Sequence, residues 1–451
     1  MVWTTARIAR RKIVDYRFGA LYAASTETPV EITTRIRSEA ERCVACGLCL
    51  PLCPTYRLTR NEAESPRGRI ALARALASNE LHVTVPLTGH LDRCLACRAC
   101  ERACPSGVAY GTLIDDTRAY LATQSAPMAS RGLQPRLVRR LLESQSTSRA
   151  LLRARLLRLA RRTGHLWLLR ASGVARLLKL DALLDGIGQF SAHSPWPAVS
   201  PARPPRRGAV ALFVGCAANV LDRTTISAAI RVLTHIGYDV HVPAGQHCCG
   251  AMAQHAGDPK AAAALADINA NAFSDPRYDH IVSMVSGCTA HLVEQRHSEY
   301  STALADRTID IVSLLAAQNW REWLPAGRKR LRVAVHVPCS VSHVLRRSEE
   351  VFSLLRQATN LTLLPLPEND ICCGGAGLYP LTEPALARQL GDAKAGHLQD
   401  LAPDKIVTSS LGCALQLGTG IRAAGLDTPV LHPVTLLAEL IGFPADSPAA
   451  A

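Results

Sequence analysis

The chain of 451 residues has no run of ~18 apolar residues, so no segment reads as a bilayer-spanning helix. Residues 1–20 hold Arg7, Arg10, Arg11, Lys12 and Arg17 and lack the apolar stretch that a secretory signal needs, which leads us to expect a reducing, cytoplasmic setting. Aromatic residues are scarce, at 4%. Acidic residues are almost missing from Arg131 to Leu180, where thirteen Lys or Arg accompany the single Glu143. That stretch supplies most of a net charge of +14. At 48% apolar residues the chain has an ordinary globular composition, long enough for several domains and neither fibrous nor disordered.

What the chain has in excess is cysteine, sixteen in all. Disulfide-dense chains are small and secreted, and these cysteines cluster two and three residues apart, which is a metal-ligand spacing. Cys43-Val-Ala-Cys46-Gly-Leu-Cys49-Leu-Pro-Leu-Cys53-Pro54 is followed by the same pattern in Cys94-Leu-Ala-Cys97-Arg-Ala-Cys100-Glu-Arg-Ala-Cys104-Pro105. Three thiolates at this spacing wrap one face of an iron–sulfur cube, and the proline turns the chain away. In two-cluster ferredoxins the fourth cysteine of each run ligates the other cluster. We therefore assign Cys43, Cys46, Cys49 and Cys104 to one [4Fe–4S] cluster, and Cys94, Cys97, Cys100 and Cys53 to a second. Structural zinc pairs two C-x2–4-C hooks across a longer loop, a pattern that these runs do not follow. No group in the first 125 residues reads as substrate-activating, so this part reads as an electron relay.

The remaining eight cysteines belong to an internal repeat. Phe213-Val-Gly-Cys216 recurs as His336-Val-Pro-Cys339, His247-Cys248-Cys249-Gly250 as Ile371-Cys372-Cys373-Gly374, and Val285-Ser-Gly-Cys288 as Ser410-Leu-Gly-Cys413. Ile309–Leu315 recurs as Leu431–Leu437. Strand patterns at 209–214, 238–242 and 280–285 alternate with helix patterns at 224–235 and 259–273, which predicts a mainly parallel sheet in each repeat. Ligands of open parallel sheets sit at the carboxyl ends of strands, and the cysteines of each repeat fall there. Cys216, Cys248, Cys249 and Cys288, and likewise Cys339, Cys372, Cys373 and Cys413, are thus candidates for metal, further iron–sulfur clusters or thiol redox chemistry, against a reading as buried free cysteines. His247 and His291 have Ile371 and Gln416 at the matching positions and read as ordinary surface or core histidines.

The expected organisation is α+β and multidomain. A lead-in occupies 1–35, a largely helical, ferredoxin-like 2[4Fe–4S] domain 36–125, and a basic helical region with a Pro-rich linker 126–207. Two tandem α/β cysteine-rich modules follow at 208–325 and 326–451.

The stretches Cys49–Ile70 and Cys94–Gly111, with the two Cys…Cys-Cys-Gly…Cys modules behind them, resemble the iron–sulfur subunit of glycolate oxidase (glycolate dehydrogenase), over nearly the whole chain from about residue 35. More distant resemblances run to iron–sulfur subunits of lactate-utilisation enzymes, anaerobic glycerol-3-phosphate dehydrogenase and heterodisulfide reductase. In the last of these a C-x-x-C closes the module; here His291 and Gln416 stand where its second cysteine would be. The resemblance implies that partner subunits carrying FAD oxidise glycolate to glyoxylate. Electrons then pass singly through this chain toward a quinone or other membrane acceptor. For the basic stretch 131–180 a solvated arginine face on packing helices is the plainer reading, and docking on an anionic membrane surface the alternative. No recognition motif accompanies the charge, so no nucleic-acid partner is expected.

Overall fold

The computed structural model describes residues 28–124, 163, 195–324 and 330–443. Apart from residue 163, the basic stretch 131–180 lies outside the described residues, as do the first 27 residues. Among the described residues no helix is long and apolar enough to cross a membrane.

The N-terminal unit is helical. Pro29–Glu41 opens with a capping box in which Thr28 and Glu31 satisfy each other's backbone N–H groups. Ser65 caps Pro66–Ala77, Thr84 caps Val85–Asp92, and Tyr110–Thr123 closes the unit. Proline at the first turn of three of these helices suits a position whose N–H has no intrahelical partner. Ile32, Ile36, Ala73, Leu76, Leu91, Leu113, Ile114 and Leu121 form their common core.

The C-terminal half holds two parallel sheets. The strands are β1 Val199–Ser200, β2 Gly208–Phe213, β3 Tyr238–His241, β4 His280–Ser283, β5 Thr308–Asp310, β6 Leu331–Val335, β7 Leu361–Pro365, β8 Lys405–Val407 and β9 Val430–Leu431. The first sheet has the order β1-β3-β2-β4-β5 and the second β7-β6-β8-β9. Leaving out β1, the two orders are the same, as the sequence repeat requires. β1 is the departure: the Pro-rich stretch 191–207 reads as a linker, yet Val199 and Ser200 pair antiparallel with His241 and Val240. Two residues are too few to give an alternating pattern in the sequence.

The modules share a core. Val210, Leu212, Ile226 and Leu233 of the first pack in one cluster with Val333, Val335, Leu354 and Leu437 of the second. Helix Arg223–His235 packs on Pro433–Ile441, and Ile311–Ala316 on Ser348–Leu355. In repeat terms the first-strand helix of each module meets the last helix of the other, so the pair is related by a local two-fold. Trp320 seals the seam, fully buried, its indole N–H donating to the Leu315 carbonyl at 2.7 Å. An apolar seam of this kind makes the tandem pair a single packing unit.

Candidate functional site

The two cysteine runs of the helical unit fold alike. Ala45 and Ala96, at the same place in each C-x2-C, have φ of 55° and 50°, and Gly47 and Arg98 follow at 85° and 60°. Left-handed backbone costs a non-glycine residue ~1–2 kcal/mol, so matched outliers in both runs mark a loop bent to hold something. Cys43, Cys46, Cys49 and Cys104 line one small cavity, together with Cys100 and Tyr110. Cys53 lies near Cys97 and Cys100, and both of these are close to Cys94. The structure thus gathers the first set of four around one cavity and draws Cys53 to the second set.

Several residues that the sequence reading passed over support these loops. Glu64, 2% exposed, accepts from Arg69 at 2.6 Å and from Arg93, and lies 2.6 Å from His90 Nδ1. Burial opposes the charge on Glu64, but its bonds from Arg93 and His90 hold its carboxyl below the usual range. Thr55 donates to the Glu64 carbonyl at 2.8 Å and lies 3.3 Å from Cys53 Sγ. Tyr110 lines the first cavity while its hydroxyl lies 3.6 Å from Cys94 Sγ, so it bridges the two sets.

In each module the cysteines meet at the carboxyl edge of the sheet. Cys216 follows β2 and sits 3.4 Å, Sγ to Sγ, from Cys248. Cys288 and Cys413 fall in the first turns of helices Ser286–Glu294 and Leu411–Ala423, so the positive helix ends face the thiol groups. Gly250 and Gly374 have φ of 97° and 86°, and a Cβ on either would press the backbone of helix Pro259–Ala272 at Ala262 or of helix Pro384–Leu401 at Ala387. A side-chain amide ties each Cys-Cys loop to the end of its first strand. Val214 N–H donates to Gln246 Oε1 at 2.8 Å, and Val337 N–H to Asn369 Oδ1 at 3.0 Å. An amide two or three residues ahead of each Cys-Cys pair was the signal available for these clamps.

The surroundings of the two thiol groups differ. Near the first, His255 Nδ1 lies 3.0 Å from Asp115 of the helical unit, and buried His291 lies 3.1 Å from Gln295 Nε2. Burial lowers the His291 pKa to about 4. Near the second, His336 takes the place of Phe213 and bonds Thr408 Oγ1 at 2.9 Å, and buried Lys394 donates to the carbonyls of Pro367 and Glu368. Burial drops the His336 pKa to about 3, with Lys394 adding to the effect.

All three assemblies meet. One cavity of about 1520 Å³ is lined by Cys94 and Cys97, by Cys216, Cys248, Cys249 and Cys288, and by Cys339, Cys372, Cys373 and Cys413. Leu58, Leu95 and Cys97 pack directly on Cys339, Cys372 and Tyr379. Arg57–Glu368 ties the helical unit to the second module, and Arg98–Glu294 with Asp115–His255 ties it to the first.

Burial pushes the Cys49 thiol up to about 11 and raises those of Cys97 and Cys100 well above the ordinary thiol value. Hydrogen bonding to Cys248, then burial, raises Cys216 and Cys249, while Cys248, accepting from both, is held well below the usual thiol value. Buried thiolates need a nearby cation, and thiolate sets without carboxylate suit iron–sulfur clusters. The donors present fit that group.

Comparison with known proteins agrees. Residues 39–108 match the family described as "4Fe-4S dicluster domain", and 210–293 and 333–418 each match "Cysteine-rich domain". The "Glycolate oxidase iron-sulfur subunit" of Escherichia coli (strain K12) is 34% identical over 417 residues, covering 88% of this chain and 93% of that one. The chain belongs to the glycolate oxidase iron–sulfur subunit family. A "Probable glycolate oxidase iron-sulfur subunit" of Bacillus subtilis (strain 168) is 30% identical over 421 residues, 90% of this chain and 94% of that one. "Lactate utilization protein A" of Shouchella clausii (strain KSM-K16) is 28% identical over 236 residues, 51% of this chain and 98% of that protein. This family membership makes the chain an iron–sulfur electron-transfer component of a hydroxy-acid dehydrogenase: the cysteine spacing had led us to expect the relay, and the family resemblance the dehydrogenase.

Proposed function

We propose that this chain is the electron-transfer subunit of a flavin-dependent 2-hydroxy-acid dehydrogenase, with glycolate as the substrate. It takes electrons singly from an FAD-bearing partner and delivers them to a quinone or other membrane acceptor. Two [4Fe–4S] clusters sit on Cys43, Cys46, Cys49, Cys104 and on Cys94, Cys97, Cys100, Cys53, and the module cysteines hold further metal. The observation that carries the reading is the common cavity, in which the second ferredoxin-type set abuts the second module through Cys97 and Cys339. Thiolate groups packed this closely suit one-electron hopping and leave the carbon chemistry to the flavin.

The role of this chain's own residues is to hold and insulate. Leu58, Leu95 and Tyr379 supply the apolar contact between the second cysteine set and the second module. The Glu64–Arg69–Arg93 network fixes the floor under Cys53 and Cys94. Arg57 and Arg98 dock the helical unit on the modules.

The test is stopped-flow mixing of the assembled complex with glycolate. Flavin reduction followed by iron–sulfur bleaching supports the reading, and flavin reduction without bleaching contradicts it. Bleaching with lactate but not glycolate would move the substrate to the lactate branch of the relatives. For peripheral membrane association, glutamates at Arg153, Arg155 and Arg158 shift the complex from membrane to soluble fractions; unchanged fractionation removes lipid docking from the account.

A further inference from the structure

The repeat makes the two modules look interchangeable, but one buried position separates them. Aligned on the cysteines, His336 of the second module replaces Phe213 of the first, at the carboxyl end of the central strand. A ring nitrogen of His336 and the Sγ atoms of Cys373 and Cys413 lie within 4.8 Å of one another, and all three residues are buried. No comparable group of three or more ligand-type side chains, histidine included, occurs among the other described residues. His336 is also oriented: its Nδ1 is bonded to Thr408 Oγ1 at 2.9 Å, which leaves Nε2 as the nitrogen available to a metal. A metal-bound histidine is ordinarily held in this way by a partner on its other nitrogen. The first module has Ser283 where Thr408 stands and a phenyl ring where the imidazole stands, so it offers no imidazole at that position.

We propose that the second module is a mixed imidazole–thiolate metal site, in which His336 joins Cys373 and Cys413 as a ligand of one metal centre. The proposal rests on the reading that the modules hold metal, and it adds that the two do not hold it in the same way. Lys394 supports it independently. This lysine is 2% exposed, beside Cys372 and Cys373, and its ammonium is anchored on the Pro367 and Glu368 carbonyls. A buried cation there offsets the charge of a thiolate-rich centre. The matching position in the first module is the neutral Asn269, whose amide donates to the Cys248 carbonyl at 2.9 Å.

The consequence is a difference in redox poise. Exchanging a thiolate for a neutral imidazole makes an iron–sulfur centre less negative and raises its potential. The centre with the higher potential would then be the one packed against Cys97, which favours electron flow out of the ferredoxin-type clusters.

The experiment uses the anaerobically purified complex carrying 15N-histidine. Iron and zinc are counted per chain, with pulsed EPR after dithionite and X-ray absorption at both metal edges. We expect one imidazole nitrogen coupled to a centre beyond the two ferredoxin-type clusters, and its loss in His336→Phe, which copies the first module. His336→Cys retains the metal with a sulfur-only shell, and decides the matter if the Phe variant does not fold. An imidazole signature at the zinc edge that vanishes in His336→Phe equally supports ligation and identifies the ion. The proposal is overturned by equal metal content and an unchanged imidazole signature in wild type and His336→Phe. It is also overturned if wild type holds no metal beyond about eight irons, a result that leaves the electron-transfer reading standing. Absence of those eight irons would instead remove the electron-transfer reading.

Discussion

The two cysteine-rich modules share strand order, cysteine positions and the glycine after each Cys-Cys pair, yet differ in nearly every non-thiol group around the cysteines. The first keeps Phe213 and Asn269 behind its thiols and sets His255 and His291 facing Asp115. The second keeps His336 and Lys394 behind its thiols and meets the ferredoxin-type unit through Leu95, Cys97 and Tyr379. Topology alone therefore places the thiols; the neighbours decide what each thiol group can hold and which side feeds it electrons. The chain has used duplication to obtain two sites and substitution to make them unlike.

The comparison is broken most severely at the cysteines. Cys372→Ser, beside Cys97, should slow flavin-to-acceptor electron flow by more than ~100-fold, beyond the cost of losing a supporting partner. Cys248→Ser in the other module should cost less, because no ferredoxin-type cysteine packs on that side in the same apolar cluster. Equal losses in stopped-flow reoxidation would mean that the modules act in parallel rather than unequally.

A subtler contrast lies in the last helix of each module. Asp310 and His432 are repeat equivalents, and each accepts a backbone N–H at the helix start, from Val312 at 2.9 Å and Val434 at 3.1 Å. Burial raises the Asp310 pKa to about 7 and lowers that of His432 to about 4, so both are held neutral. The folded Asp310 retains a proton that the unfolded chain has lost, so its contribution falls as pH rises from the ordinary value of 3.8 toward 7. The folded His432 lacks a proton that the unfolded chain binds, so its contribution falls as pH drops from 6.5 toward 4. The two slopes oppose each other. Asp310→Asn should make stability rise more steeply with pH between about 4 and 6.5, and His432→Asn should make it fall, each by on the order of 3 kcal/mol across the window. Denaturant melts of the two variants at several pH values check both signs.

The smallest effect concerns the ties to the helical unit. Glu368→Ala and Glu294→Ala each remove one half-exposed partner, of Arg57 and of Arg98. Each should cost no more than ~1 kcal/mol in a thermal melt, and less at high salt.

Much of this was legible in the sequence, because spacing encodes it. The two C-x2-C-x2-C-x3-C-P runs, the repeat and the order of strands and helices are all local patterns, and helix Tyr110–Thr123 and strand Gly208–Phe213 fall where periodicity puts them. What was not legible depends on packing between distant segments. Buried Arg69 and Glu64 look like surface charges until Arg93 and His90 close over them. The meeting of Cys97 with Cys339 spans residues far apart in the chain, and only docking of the helical unit reveals it. His336 was hidden by the repeat itself: aligned with Phe213, it reads as one more strand-end residue, and its meaning appears only when Cys373 and Cys413 arrive beside it.

The most direct test of the account is iron and acid-labile sulfide per chain on anaerobically purified protein, with EPR after dithionite reduction. The account predicts at least about eight irons, with two magnetically coupled [4Fe–4S] signals from the ferredoxin-type cysteines. Zinc in place of iron, in protein never exposed to oxygen, would contradict it.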